Sequence, residues 1–184
     1  LNNLKENEYP SFLYSQSYYP GHTQNSGECL EQEFDEWKNN DLITANNEMK
    51  GDISALGPEL KNSIVIITGD HGPYLTKNCT TLKKYPSDEV NRYDIQDRYG
   101  TFLAIHVPKN LKQIDFEVKN LQNLFLYVLS SISNSTGLLD NLNEENINNS
   151  VLPDDITVLN NIVFGGIDDG KYLFDDRSLI KNDR

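Results

Sequence analysis

Cysteine is scarce in this chain, with only Cys29 and Cys79 among 184 residues. The pair matches neither a zinc-binding spacing nor a Cys-x-x-Cys redox motif. One disulfide and two thiols both fit, so the compartment stays open. Long apolar runs are missing too. None approaches the ~18 residues of a membrane span, and no basic-then-apolar start suggests a signal peptide. That absence carries little weight, because the first residue is Leu1 and the chain is compatible with a piece cut from a longer reading frame. Basic residues are few, 16 Lys and Arg against 28 Asp and Glu, for a net charge of -12. Nucleic acid is therefore not an expected partner, since that binding rests on a basic face that neutralises phosphates. Acidity by itself names no partner; its plain reading is solubility.

What is present suits one domain with a sizeable core. PSFLYSQSYYPGH (10–22) reads as a short strand, Phe12 to Ser17, that breaks at Pro20-Gly21. The acidic stretch Glu28 to Trp37 reads as a helical turn or surface loop. From Asp41 as N-cap, Leu42, Ala45, Met49, Ile53 and Leu56 recur at three- and four-residue steps and predict a helix that Gly57-Pro58 ends. SIVIIT (63–68) reads as a strand buried on both faces, as in the middle of a parallel sheet. Residues 73–98 are polar and aperiodic and read as a long active-site-type loop. YGTFLAIHVP (99–108) is a second buried strand, and Phe116 to Ile132 an amphipathic helix with Leu121, Leu124, Phe125, Val128 and Ile132 on one face. Residues 133–158, rich in Asn as in NLNEENINNS, read as loosely ordered. NIVFGGIDDGKYLFDD (161–176) reads as a hairpin with Asp169-Gly170 at its turn. The order predicts a mixed α/β layer.

Two side chains able to hold a metal, Asp70 and His71, stand together where the apolar run of SIVIITGDHG ends. In open α/β sheets ligands gather beyond the carboxyl ends of strands. A carboxylate and an imidazole together suit Zn or Mn better than Ca. Gly69 and Gly72 let the backbone turn sharply enough to bring both near one ion. The plain alternative is a strand-to-loop turn with a solvated Asp-His pair. His22, after Pro20-Gly21, is placed to reach the same edge; its plain alternative is a solvent-exposed loop histidine. His106, inside TFLAIHVP, reads as a half-buried histidine satisfied by a backbone partner.

GDHG after an apolar strand resembles the Asp-His-Gly motif of the alkaline phosphatase-like superfamily, which holds sulfatases, phosphodiesterases, phosphoethanolamine transferases and lipoteichoic acid synthases. FLYSQSYYPGHTQNSG is similar to the family segment in which a strand ends in a Pro-containing loop bearing a histidine. TANNEMKGDISALGPELKNSIVIITGDHG resembles the helix that leads into the metal-binding strand, and DRYGTFLAIHVPKN the later strand with its Arg/Tyr-Gly-x-Phe-x-Ile-x-x-Pro pattern. These segments cover roughly residues 10 to 133.

The resemblance implies a mostly parallel sheet sandwiched by helices. It makes Asp70 and His71 metal ligands, and His22 a second-metal or substrate-group ligand with a catalytic role. The ion implied is Zn or Mn, with Ca or Mg as alternatives. The family's nucleophile, a Thr, Ser or Cys-derived formylglycine, sits upstream of these motifs with a further acidic ligand. Nothing before residue 22 resembles either, and the Cys-Thr-Thr at Cys79 to Thr81 lacks the Cys-x-Pro-x-Arg form.

The expectation is therefore an incomplete α/β domain, with residues 1–133 the C-terminal part of a sulfatase-like domain and 134–184 a loosely ordered segment and hairpin. Its reaction class is metal-dependent hydrolysis or transfer of sulfate or phosphate esters, inactive in this chain alone, with self-association through unpaired strands. The rival of a different class is a non-catalytic interaction module that keeps the fold. A phosphopentomutase-like relative ranks last, for want of a sugar-phosphate signature.

Overall fold

The computed structural model describes residues 11–22, 28–109, 111, 118–143, 147 and 149–174. Helix α1, Glu31–Glu36, runs through a π-helical turn, Trp37–Asp41, into α2, Leu42–Leu56. Asp41 is helical itself and makes no side-chain cap bond, so the expected N-cap is interior and the helix begins earlier. Trp37 explains the extension. It is buried, and its indole N–H donates to the Gly21 carbonyl at 3.2 Å. Leu42, Ala45, Met49 and Leu56 are half-buried along α2, while Ile53 stays exposed. Gly57, with φ 43°, ends the helix as the Gly-Pro pair predicts.

The strand expected over Phe12 to Ser17 does not form. Residues 11–19 have no regular structure, and Phe12, Tyr14 and Tyr18 are 77%, 73% and 90% exposed. β-branched and aromatic content fits a strand only where a neighbour accepts its backbone bonds and one face is covered, and no strand pairs with this stretch among the described residues.

Strand β1, Val65–Thr68, pairs with β2, Leu103–His106, in antiparallel register from Val65 opposite His106 to Thr68 opposite Leu103. The mixed helix-and-strand class holds, but the parallel pairing is corrected. The segment between the two strands combines two 3-10 turns with one α-helix rather than a simple helical crossover, and β2 returns in the opposite direction. Nor is β1 buried on both faces: Val65, Ile66 and Ile67 are half-buried and Thr68 is exposed.

The long loop expected over 73–98 holds two 3-10 turns, Leu82–Lys84 and Ser87–Glu89, and helix α3, Arg92–Tyr99. Its stretch RYDIQDRY has one aliphatic residue, so no periodicity reveals it. A capping box does the work instead: the Asn91 side chain accepts from the Tyr93 and Asp94 N–H groups, and Asp94 accepts from the Asn91 N–H. Helix α4, Leu124–Ser133, follows a 3-10 turn at Leu121–Asn123. The earlier part of the helix expected from Phe116 falls partly outside the described residues. Leu124 and Val128 are buried, whereas Phe125 and Ile132 of the expected face are exposed.

Residues 133–158 carry more order than their composition suggests. Two 3-10 turns, Gly137–Asn141 and Asn149–Val151, precede β3, Thr157–Leu159, which pairs antiparallel with β4, Ile162–Phe164. The intervening Asn160 and Asn161 have φ of 50° and 63°, the left-handed pair that a tight hairpin turn requires. The hairpin expected around Asp169-Gly170 survives in reduced form. The Val163 N–H donates to the Lys171 carbonyl at 2.9 Å, the Gly170 N–H to the Val163 carbonyl at 2.8 Å, and Ile162 bridges Tyr172.

The main core gathers Leu82, Val90 and Ile95 with Leu152, Ile156, Val158, Val163 and Leu173. It thus draws on both sides of residue 133. Cys29 and Cys79 form a disulfide that bridges a sequence separation of 50 and ties the start of α1 to the loop after β1.

Candidate metal centre

Beyond Thr68 the chain leaves the sheet through Gly69, whose N–H donates to the Phe102 carbonyl at 3.1 Å. Gly72 and Tyr74 then run against the backbone of α3. The Gly72 N–H donates to the Arg98 carbonyl at 2.9 Å and the Tyr74 N–H to that of Asp97 at 3.4 Å. A β-carbon on Gly72 would stand 2.1 Å from the Asp97 carbonyl oxygen. Glycine is therefore the residue that lets the tip of β1 lie against α3.

Asp70 and His71 project from this tip together. The Asp70 side chain is 91% exposed and that of His71 31%, with Oδ1 of Asp70 3.6 Å from Nε2 of His71. The opposite nitrogen of His71, Nδ1, lies 2.8 Å from the Gly72 carbonyl oxygen. Donation from Nδ1–H to that carbonyl leaves Nε2 as the acceptor in the neutral ring. A lone pair and a carboxylate oxygen then face one another, an arrangement that attracts only with a cation or proton between them. Zinc holds such donors at ~2.0–2.2 Å, so two donors on one ion stand about 3–4 Å apart, and the observed separation fits. A histidine ligand whose far nitrogen is pinned to a backbone carbonyl is also a common feature of metal sites. The donor set therefore suits a divalent ion, with two ligands supplied.

His22 lies on the same rim. Its ring centroid is 5.1 Å from that of His71, with 30° between the planes. The Trp37 bond to the Gly21 carbonyl holds the loop that carries it. The three sequence-nominated residues are thus neighbours, yet among the described residues no group of three or more His, Cys, Asp and Glu side chains is gathered closely enough to hold a metal ion. His106 is away from this rim. It is exposed rather than half-buried, and its Nε2 meets the backbone carbonyl of Leu60 at 2.9 Å, the kind of partner expected for it.

Two residues at the site have no motif to announce them. The Tyr74 ring stacks on His71, with centroids 4.9 Å apart and planes 12° from parallel. The Arg98 guanidinium sits over the same Tyr74 ring, 5.0 Å from its centroid. Arg98 is buried and paired with Asp97 at 2.9 Å, and it also donates to the carbonyls of Lys77 and Cys79. Asp97 in turn accepts from the Thr76 N–H at 2.8 Å and its hydroxyl at 3.1 Å.

Burial pulls Arg98 below the usual arginine value, with the Asp97 carboxylate opposing. Burial also raises Tyr74, against the pull of Arg98 and with help from Asp70 and Asp97. Tyr99 is pushed up to about 12, mainly by burial. Both tyrosines are therefore neutral at physiological pH. Tyr74 and Arg98 stand inside the stretches GPYL and DRYG, and the packing of α3 on the β1 tip brings Arg98 to the Tyr74 ring. No protein-family model, curated protein or solved structure matches this chain.

Proposed function

We propose that this chain carries part of the metal site of an alkaline phosphatase-like domain that hydrolyses or transfers sulfate or phosphate esters. One observation carries the reading: Asp70 and His71 stand side by side at the tip of β1, with Nε2 of His71 turned toward the carboxylate and Nδ1 held by the Gly72 carbonyl. In this reading the β1–β2 pair belongs to a larger mixed sheet, and the nucleophile comes from residues outside the segments that resemble the family. Asp70 and His71 hold the ion, and His22 binds the transferred group or delivers a proton to the leaving oxygen. A divalent ion held there, Zn or Mn by donor type, would supply charge for the ester oxygens and for activation of the nucleophile.

Calorimetric titration of Zn or Mn into the purified chain tests this. The expected binding is weak, because two or three ligands fall short of the set that normally closes a zinc site, and it disappears in Asp70→Ala and His71→Ala. Tight binding that survives both substitutions would overturn the assignment.

A non-catalytic interaction module is favoured by a different observation. Phe125, Leu129 and Ile132 leave one stripe of α4 exposed, and exposed Phe12 meets Phe125 with ring centroids 6.2 Å apart. This reading requires that Asp70→Ala change neither metal affinity nor function.

A further inference from the structure

We infer that Tyr74 is a positioning residue for His71, itself held in place by Arg98. The inference rests on the reading of His71 as a metal ligand and adds to it two residues which that reading does not use. Its first support is the backbone. Tyr74 has φ 58°, a left-handed conformation that bulky residues rarely adopt. Such a conformation persists where the surroundings over-determine it, and it clusters at functional sites. Glycine would take the same φ at no steric cost. Here a tyrosine occupies it, and the result is a ring laid flat against an imidazole, 4.9 Å between centroids and 12° between planes.

The second support is a further contact of the same ring. Arg98 has a side chain only 2% exposed and is tied to Asp97 and to the carbonyls of Lys77 and Cys79. Its guanidinium lies 5.0 Å from the Tyr74 centroid, within cation–π range. A side chain so heavily tied is a fixed support, and Tyr74 rests against it as well as against His71. The Gly72 carbonyl fixes one edge of the imidazole and Tyr74 fixes one face. Together they define where the Nε2 lone pair points. A ligand held in its binding orientation loses less freedom when the ion arrives. Groups that orient metal-bound histidines are worth about 10- to 100-fold in affinity.

The test uses the full chain and zinc alone as the probe, with the His71 ring signals followed by NMR so that weak binding is measurable. Tyr74→Phe keeps the stack and should bind within about twofold of the parent, whereas Tyr74→Leu and Tyr74→Gly should bind about tenfold more weakly. Tyr74→Gly also relieves the left-handed backbone, so thermal melting no lower than that of Tyr74→Leu alongside weaker zinc binding separates positioning from simple destabilisation. Zinc affinity in Tyr74→Leu equal to the parent's would overturn the inference.

A metal-free readout keeps it separate from the ligand reading. At a pH where the imidazole is neutral, the ring nitrogens should report one tautomer, protonated at Nδ1, in the parent and a mixture in Tyr74→Leu. An unchanged tautomer in Tyr74→Leu sinks the positioning role. Zinc-induced shifts of the His22 ring that survive His71→Ala, with the His71 tautomer in the parent still dependent on Tyr74, sink the ligand assignment and leave the positioning role standing.

Discussion

At Gly72 the backbone passes so near α3 that any side chain collides with the Asp97 carbonyl, 2.1 Å from the β-carbon position. Gly72→Ala must move one of two packed backbones and break the bond from the Gly72 N–H to the Arg98 carbonyl. Denaturant unfolding should show a loss of about 3 kcal/mol, the upper range for overpacking. A second residue-scale prediction concerns Asp168, which accepts from the Arg92 N–H at 2.6 Å and pairs with Lys171 at 2.5 Å. Those two partners, the backbone bond first, hold its carboxyl below the usual value.

A depressed folded-state value means the stabilisation is present above the unfolded carboxylate's range and disappears as pH falls through the folded one. Asp168→Asn should therefore cost about 1–2 kcal/mol near neutral pH. The gap from the parent should close in acid, below about pH 4, when the two are melted side by side. At this scale the sequence spoke clearly where chemistry and position coincide, as at Asp70 and His71. It was silent at Tyr74 and Arg98, whose mutual contact exists only through the packing of α3 on the β1 tip.

Elements were legible where they announce themselves by periodicity or by glycine and proline. Helix α2 and its stop at Gly57 follow from the Leu42-to-Leu56 spacing, and β1 and β2 from their apolar runs. Helix α3 was hidden because a cap rather than an apolar stripe defines it. The β3–β4 hairpin was hidden because Asn160-Asn161 sits in a chain where asparagine is common everywhere, so its turn signal was lost among others. Asn161 also binds beyond the turn: its side chain donates to the Phe174 carbonyl and accepts from the Phe174 N–H, each at 2.9 Å. Asn161→Ala should lose both bonds and strain the φ of 63°, costing about 2–3 kcal/mol. Asn160→Gly should be within about 0.5 kcal/mol of the parent, because no side-chain bond of comparable kind restrains it. Equal losses at the two positions would mean that the turn, and not the tie to Phe174, sets the stability.

For the whole molecule, the disulfide is the longest covalent restraint. Closing a separation of 50 residues is worth about 4 kcal/mol through the unfolded chain. Replacing both cysteines by serine should lower the melting temperature by about 10 °C in a domain of this length. A net charge of -12 favours solubility, yet β1 and β2 each pair on one side only among the described residues. Phe12, Tyr14, Tyr18 and the Phe125 stripe are exposed as well. Unpaired edges and apolar patches recruit other chains, so sedimentation of the purified chain should show self-association that grows with concentration. A monodisperse monomer with a single cooperative unfolding transition would show that these surfaces need no cover.

The measurement that bears most directly on the central claim is an anomalous-scattering map from crystals of the chain soaked in zinc. A zinc peak is expected within about 2.0–2.2 Å of both Nε2 of His71 and a carboxylate oxygen of Asp70. A map in which zinc sits elsewhere while the Asp70-His71 pair is solvated and empty would contradict it.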